Sequence, residues 1–176
     1  MLGPTLDVVV PHQIVRLADC PGAIDVMARW HFEAWGSAPE AEGLEQVRRR
    51  LTSWATEGGV PCAYVAMVGG EACGSACLVD HDMSDPPKGT EHLRPWLSGV
   101  FVESESRKTG LGPALVGAVE EAAGALGYSR IFLHTAPVTA RKFYAPMGWE
   151  VILTPRYRGE EVAVMEKSLA TPRPPT

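Results

Sequence analysis

The segment from residue 96 to residue 135 constrains the fold more than any other part of this sequence. WLSGVFV (96–102) predicts a strand, and a glycine-bearing turn with the sequence RKTGLG (107–112) follows it. A long helical pattern of Ala, Leu and Val begins directly after the turn and ends between Gly124 and Gly127, and IFLHT (131–135) predicts the next strand. This order is a βαβ unit, so the chain must form a sheet that a helix covers.

The remaining elements predict a sheet of mixed direction. Gly69-Gly70 is a hairpin turn signal between two strand patterns, and the polar, proline-rich stretch 81–95 predicts a long loop that is functional or disordered. We therefore predict an α/β (α+β) fold, with a mixed, mostly antiparallel central sheet of about seven strands flanked by about four helices. The other expected strands are 12–20, 62–68, 72–80, 148–153 and 162–169, and the other expected helices are 22–36, 40–57 and 138–147.

Length and composition predict one globular domain. The chain has 176 residues, and we expect a lead-in over 1–11, one domain over 12–169 and a disordered tail over 170–176. No apolar run is long enough for a membrane span, and the first residues lack the pattern of a signal peptide, so no membrane partner is expected. The net charge of −5 argues against nucleic acid as a partner and is compatible with an amine substrate.

The four cysteines, Cys20, Cys62, Cys73 and Cys77, do not form a metal-binding pattern. They contain no C-x-x-C pair, and no histidine lies beside them at ligand spacing, so no metal is expected. Buried thiols of this kind are typical of a cytosolic protein, which predicts a cytoplasmic location.

The turn before the long helix has the chemistry of an anion site. Free N–H groups and the positive end of the helix dipole point out of a helix start, and Gly110 and Gly112 allow close approach of the backbone. Arg107 and Lys108 add positive charge, and Pro113 is tolerated in the first helical turn. The turn therefore predicts a phosphate cradle, best suited to a pyrophosphate, or alternatively only a tight turn. The Walker and dinucleotide glycine patterns are both absent, which disfavours a nucleotide-hydrolysing enzyme.

Two motifs carry a family resemblance. RKTGLG (107–112) resembles the [QR]-x-x-G-x-[GA] signature of the GCN5-related N-acetyltransferases, known as the GNAT superfamily. FYAPMGW (143–149) resembles that family's F-Y-x-x-x-G-[FW] segment, and Ala140 matches an alanine four positions before the tyrosine. The predicted element order also matches the family over 12–169. The resemblance implies acetyl-CoA as donor and a V-shaped splay between the fourth and fifth strands.

The resemblance also implies which residues hold the cofactor. The CoA pyrophosphate would lie on the glycine turn, at Arg107, Lys108, Thr109, Gly110, Leu111, Gly112 and Pro113. The pantetheine arm would pair like an added strand with Val100, Phe101 and Val102. Many relatives have an asparagine where this chain has Pro137, which cannot donate a hydrogen bond. The alternatives for part of that contact are Thr135, Thr139 and Lys142.

For the chemistry, the resemblance implies that Tyr144 protonates the leaving CoA thiolate, or alternatively that it only contacts the cofactor. The general base is less clear, because some relatives have a glutamate on the fourth strand where this chain has Trp96 and Ser98. His134 on the fifth strand is the candidate base, although a lone strand histidine is often a packing residue. The loop residues His81, Asp82, Asp85, Glu91 and His92 could also act, directly or through water, or be solvated.

The acceptor site is expected in 30–40 and 81–96. Its candidate residues are Trp30, Trp35, Asp82, Trp96 and Ser98, and the aromatic ones, with Phe32, could form a box for a cation or belong to the core. The predicted function is acetyl transfer from acetyl-CoA to a primary amine of a small acceptor, by direct attack in a ternary complex. The alternatives are a non-catalytic acyl-CoA sensor and an oligomeric scaffold that binds no CoA. Homodimers are common in the family, so a homodimer is a possible state.

Overall fold

The computed structural model describes residues 11–37 and 41–170. The predicted lead-in (1–11) lies outside these residues except for position 11, and the predicted tail (170–176) lies outside them except for position 170. Among the described residues, no helix combines the length and the apolar character that crossing a bilayer requires.

Four helices and nine strands make up the described chain. The helices are α1 (Ile24–Trp35), α2 (Leu44–Trp54), α3 (Leu111–Ala125) and α4 (Pro137–Thr139), the last continuing as a π turn (Ala140–Tyr144) and a 3-10 turn (Ala145–Met147). The strands are β1 (Gln13–Arg16), β2 (Cys62–Val68), β3 (Glu71–Val79), β4 (Trp96–Val102), β5 (Arg130–Thr135), β6 (Glu150–Leu153), β7 (Arg156–Tyr157), β8 (Glu160–Glu161) and β9 (Ala163–Ser168).

Seven of the strands form one sheet in the order β1-β2-β3-β4-β5-β9-β6. The pairs β1/β2, β5/β9 and β6/β9 are antiparallel, whereas β4 and β5 are parallel, with Trp96 opposite Phe132. β4 and β5 diverge in a V-shaped splay. The predicted mixed, mostly antiparallel sheet, its four helices and its splay are thereby confirmed.

Turn chemistry explains where the strands begin and end. Gly69 and Gly70 have φ values of +57° and +83°, so the predicted β2–β3 hairpin is closed by two left-handed residues, as a type I′ turn requires. The first strand is shorter than predicted, because the chain enters a 3-10 turn at Leu17. The β7–β8 hairpin was not predicted, since its strands have two residues each and carry no apolar alternation.

The described chain divides into two compact units, each with its own apolar core. The first unit comprises the described residues up to Glu57 together with Ala63–Ala76 and Gly99–Val116, and α1 packs against α2 within it. The second unit comprises Gly58–Cys62, Cys77–Ser98 and the described residues from Gly117 onward. The first core includes Leu17, Met27, Leu51, Val65, Leu111 and Leu115, and the second includes Leu78, Trp96, Ile131, Leu133, Trp149 and Met165.

A buried hydrogen-bond chain crosses the first unit from α1 to β4. The Ser75 hydroxyl donates to the Gly99 carbonyl oxygen at 2.9 Å, and His31 Nε2 lies 3.0 Å from the same hydroxyl oxygen. Since the hydroxyl proton is used on Gly99, Nε2 of His31 carries the proton that completes the chain. Burial, and to a lesser extent the positive charge of Arg50, lowers the pKa of His31 to about 4, against a weaker opposing effect of the Gly99 carbonyl. His31 is therefore neutral in the folded protein at physiological pH.

This neutrality predicts a loss of stability in acid. Because the folded pKa of His31 lies below the unfolded value, its contribution is present above about pH 6.5 and declines as the pH falls toward 4. Urea unfolding should show about 2 kcal/mol less stability at about pH 5 than at about pH 7.5 from this residue alone. In His31→Gln, which keeps hydrogen-bonding capacity without titrating, this part of the pH dependence should vanish. Replacing the exposed His92 by Gln is the control, and equal slopes for wild type and His31→Gln would contradict a neutral buried imidazole.

Candidate active site

The glycine turn of the first unit opens helix α3. Gly110 has φ +85°, a conformation that favours glycine, and its carbonyl accepts the N–H of Ala114 at 3.2 Å as the helix begins. A Cβ built on Gly110 would meet no atom within 4 Å, so the backbone angle demands the glycine, and the space above it is open. A helix start facing open space offers N–H donors and a positive dipole end to an anion.

Side chains before the helix close this turn and give it charge. Arg107 Nε donates to the carbonyl oxygen of Val102 at 3.0 Å, which fixes the guanidinium beside the end of β4. Thr109 Oγ1 donates to the Ser106 carbonyl, and Lys108 is exposed with φ +61°. Leu111 is buried and anchors the helix start in the core, whereas Gly112 is half-buried and Pro113 is exposed. The structure thus brings together the residues predicted to hold a pyrophosphate, in one turn.

The predicted aromatic residues of α1 have different surroundings. Trp30 is buried, its ring stacks on Phe101 with centroids 5.3 Å apart, and its Nε1 donates to Glu103 Oε1 at 3.1 Å. Trp35 is 48% exposed, and its ring packs against the His31 ring in a T-shaped arrangement with centroids 5.1 Å apart. Val100, Phe101 and Val102 on β4 are half-buried. Trp30 therefore supports the strand predicted to pair with the pantetheine, while Trp35 presents a large aromatic surface to solvent.

The second unit brings three of the predicted site residues into one polar cluster. Asp82 Oδ2 lies 3.0 Å from His134 Nε2, and Asp82 Oδ1 accepts the Ser98 hydroxyl at 2.5 Å. The side chains of His134 and Asp82 are only 20% and 19% exposed. His134 is therefore a partnered, partly accessible imidazole, a form that can exchange protons with a bound molecule.

Two aromatic rings enclose this imidazole. Trp96 is buried on β4, and its ring packs against His134 in a T-shaped arrangement with centroids 6.1 Å apart. Tyr157 on β7 packs against His134 in the same arrangement, with centroids 5.5 Å apart. The Tyr157 hydroxyl accepts the Ser84 N–H at 3.2 Å, and Arg158 donates to Ser84 Oγ at 3.0 Å. The β7–β8 hairpin is thus bonded to the loop that carries Asp82. Sequence reasoning missed Tyr157, because it lies in a segment with no recognisable pattern.

Tyr144, at the end of the π turn, is buried in the second unit. Burial, and to a lesser extent the negative charge of Asp82, raises the pKa of its hydroxyl far above the ordinary value. The phenol therefore keeps its proton at neutral pH. Its ring packs against Phe143 and Trp149 with centroids 4.8 and 6.0 Å away.

An ion pair holds the segment that follows Tyr144. Trp149 Nε1 donates to Glu120 Oε1 at 3.0 Å, and Lys167 Nζ donates to Glu120 Oε2 at 2.9 Å. The N–H of Trp149 donates in turn to the Tyr144 carbonyl at 3.4 Å. Helix α3 and strand β9 thereby fix the backbone that carries the phenol.

The other predicted site residues are more exposed than this cluster. Thr135 is half-buried at the end of β5, and Lys142 is exposed. The remaining loop candidates for a base are all exposed, namely His81, Asp85, Glu91 and His92. Among the described residues, no three His, Cys, Asp or Glu side chains converge in a way that could hold a metal ion. The second unit therefore offers a protonated phenol and a carboxylate-bound imidazole, which are groups suited to proton transfer.

Comparisons with known proteins give one family. The sequence profile of the acetyltransferase (GNAT) family matches residues 24–149, which is more than half of the chain. No curated protein sequence matches the chain.

Solved structures with the same fold cover most of this chain. An acetyltransferase of the GNAT family from Streptococcus pneumoniae has 16% identity and a TM-score of 0.65, over 91% of this chain and 100% of its own. Ard1 from Thermoplasma volcanium has 14% identity and a TM-score of 0.67, over 92% and 99%. An aminoglycoside 6′-N-acetyltransferase, solved in complex with coenzyme A, has 18% identity and a TM-score of 0.67, over 93% and 99%. At these identities the likeness is one of fold.

Proposed function

The chain belongs to the acetyltransferase (GNAT) family, and on that premise we propose that it transfers an acetyl group from acetyl-CoA to a primary amine of a small acceptor. The observation that carries this proposal is that the second unit holds both a proton donor, Tyr144, and a candidate base, His134. A buried phenol that keeps its proton and an imidazole bound to a carboxylate are the acid and the base that such a transfer needs. A protein that only bound acyl-CoA would need neither group.

Acetyl-CoA is proposed to bind through the glycine turn and β4. Its pyrophosphate would accept hydrogen bonds from the N–H groups at the start of α3, with Arg107 and Lys108 adding charge. The open space above Gly110 supports this placement, since no side chain fills it. The amides of the pantetheine arm would pair with the backbone of Val100–Val102, and Thr135 and Lys142 would add polar contacts.

In the proposed reaction, the amine attacks the thioester carbonyl directly. The tetrahedral intermediate then collapses, the C–S bond breaks, and the CoA thiolate takes the proton of the Tyr144 hydroxyl. The raised pKa of Tyr144 keeps that proton in place until the thiolate forms. A buried thiolate is itself destabilised by loss of water, so its affinity for a proton rises as well. His134 would remove a proton from the attacking amine.

In the second unit, the residues proposed to contact the acceptor are Asp82, Trp96 and Ser98. In the first unit, Trp30 and Trp35 are the proposed acceptor residues, and the exposed indole face of Trp35 is a good surface for an alkylammonium group. The negative net charge of the chain favours a cationic acceptor.

The cradle is tested by Gly110→Glu. A carboxylate at the helix start should repel the pyrophosphate and fill its space, so calorimetric titration with acetyl-CoA should show at least about a 100-fold loss of affinity. Gly127→Glu is the matched control, because Gly127 at the other end of α3 has φ +91° and equally open surroundings. Both variants carry the same backbone strain, so only the first should lose binding. Equal acetyl-CoA affinity in folded Gly110→Glu would remove the cradle from the proposal.

The acid is tested by Tyr144→Phe. Loss of the hydroxyl should lower kcat about 100-fold while the affinity for acetyl-CoA stays within about threefold, because the ring packing is kept. Turnover would be followed as free CoA released with a panel of primary amines. Tyr128→Phe, a change of the same kind outside the polar cluster, should leave kcat unaltered. Wild-type turnover in Tyr144→Phe would show that another group protonates the thiolate.

A further inference from the structure

The carboxylate of Asp82 is held at both of its oxygens. Each of its oxygens has a separate partner, the Ser98 hydroxyl for Oδ1 and His134 Nε2 for Oδ2. Its side chain is 19% exposed, whereas the neighbouring Asp80 is 41% exposed and pairs with Arg94 on the surface. Both oxygens therefore already have a partner, and the side chain offers little exposed surface to an acceptor.

The loop around Asp82 is held in place on both sides. Met83, the next residue, is buried in the core of the second unit, and the N–H of Ser84 donates to the Tyr157 hydroxyl. On the other side, Asp80 is bonded to Arg94 at 3.2 Å. The carboxylate is thus fixed by its surroundings, which is the condition for orienting another side chain.

We propose that Asp82 is a positioning residue, which fixes the tautomer and orientation of His134 so that Nδ1 serves as the base toward the acceptor amine. This inference rests on the proposed function and replaces the earlier expectation that Asp82 contacts the acceptor. Because Oδ2 can only accept, the proton of the neutral imidazole is on Nε2, and the lone pair is on Nδ1. Ser98 is the residue that holds the other end of the carboxylate.

The contacts of His134 are one carboxylate, Asp82, two aromatic rings and a strand neighbour. Trp96 from β4 and Tyr157 from β7 meet the ring edge-on, and Val164 on β9 is its strand neighbour. Tyr157 is the titratable group among these three, and its hydroxyl is bonded to Ser84. The two aromatic rings restrict the plane of the imidazole, and the carboxylate decides which nitrogen is protonated.

Protons and electron pairs balance in the proposed transfer of the acetyl group to the amine. Nδ1 of His134 takes one proton from the ammonium form of the acceptor, and the freed nitrogen pair forms the C–N bond. The C–S bond breaks, the sulfur keeps its electron pair, and the thiolate receives the Tyr144 proton. The second proton of the acceptor nitrogen restores the Tyr144 hydroxyl, and the imidazolium releases its proton to water. Asp82 stabilises the imidazolium without taking up a proton.

The first test reads the tautomer without any ligand. Two-bond ¹H–¹⁵N spectra of the free protein should show His134 protonated at Nε2 in its neutral form. In Asp82→Asn the amide can also donate, so the population protonated at Nδ1 should increase. Asp85→Asn removes the same charge from an exposed side chain three positions away and should leave the His134 signals as in wild type. A wild-type His134 protonated at Nδ1 would overturn the proposal, whatever the activity.

The second test separates positioning from acceptor binding by kinetics with the same panel of primary amines. Asp82→Asn should lower kcat about 100-fold or more with the KM for the amine within about threefold. A raised KM for the amine with kcat unchanged would assign Asp82 to the acceptor instead.

The two tests also separate this inference from the proposed function. Wild-type turnover with a His134 tautomer that does not depend on Asp82 would retain the acetyltransferase and reject the positioning role. No turnover of acetyl-CoA with any amine would reject the function, and the catalytic role of the pair with it, even if the tautomer is as expected. Asp82→Glu should recover part of kcat if the carboxylate is what matters.

Discussion

The carbonyl group of Gly99 imposes the constraint on which the polar interior of the first unit depends. Gly99 has φ +60° within strand β4, a backbone conformation that favours glycine and departs from an extended strand. Its buried carbonyl needs a donor, and the Ser75 hydroxyl on β3 supplies it. Ser75 in turn needs a donor for its oxygen, which is His31 on α1. The backbone conformation at Gly99 thus requires a hydroxyl at position 75. That hydroxyl requires a protonated Nε2 on His31, and so the face of α1 that carries His31 must point toward β3.

In the second unit, a charged side chain, the carboxylate of Asp82, pairs with the polar groups of Ser98 and His134. The 81–95 loop has no regular secondary structure, yet Asp82 bonds it to β4 and β5, and Ser84 bonds it to the β7–β8 hairpin. The two bonds of Asp82 satisfy a partly buried carboxylate that would be costly to leave unpaired. The loop is therefore ordered by its polar side chains, which places Asp82 where a solvated loop residue could not be held.

Features encoded over a few consecutive residues were predictable from the sequence. Gly69-Gly70 predicted its hairpin, and the glycines of RKTGLG predicted a tight turn before α3, because both turns depend on the backbone freedom of glycine. Pairs formed by distant segments were not predictable. Glu103 accepts the indole N–H of Trp30 on a distant helix, and the partners Asp82 and His134 come from a loop and a strand far apart in the chain. Hydrophobic periodicity carries no signal for which polar groups meet after folding.

The charge of Asp82 acts in the same direction on two groups with opposite tasks. The negative charge of Asp82 adds to the effect of burial in raising the pKa of Tyr144, and the same carboxylate lies 3.0 Å from His134 Nε2. In the proposed reaction the phenol must begin protonated, while the imidazole must end protonated. One carboxylate therefore suits both transfers, because it retains the proton of the acid before the thiolate forms and stabilises the base after the amine has lost its proton. Ser98 contributes by donating to that carboxylate without adding charge of its own.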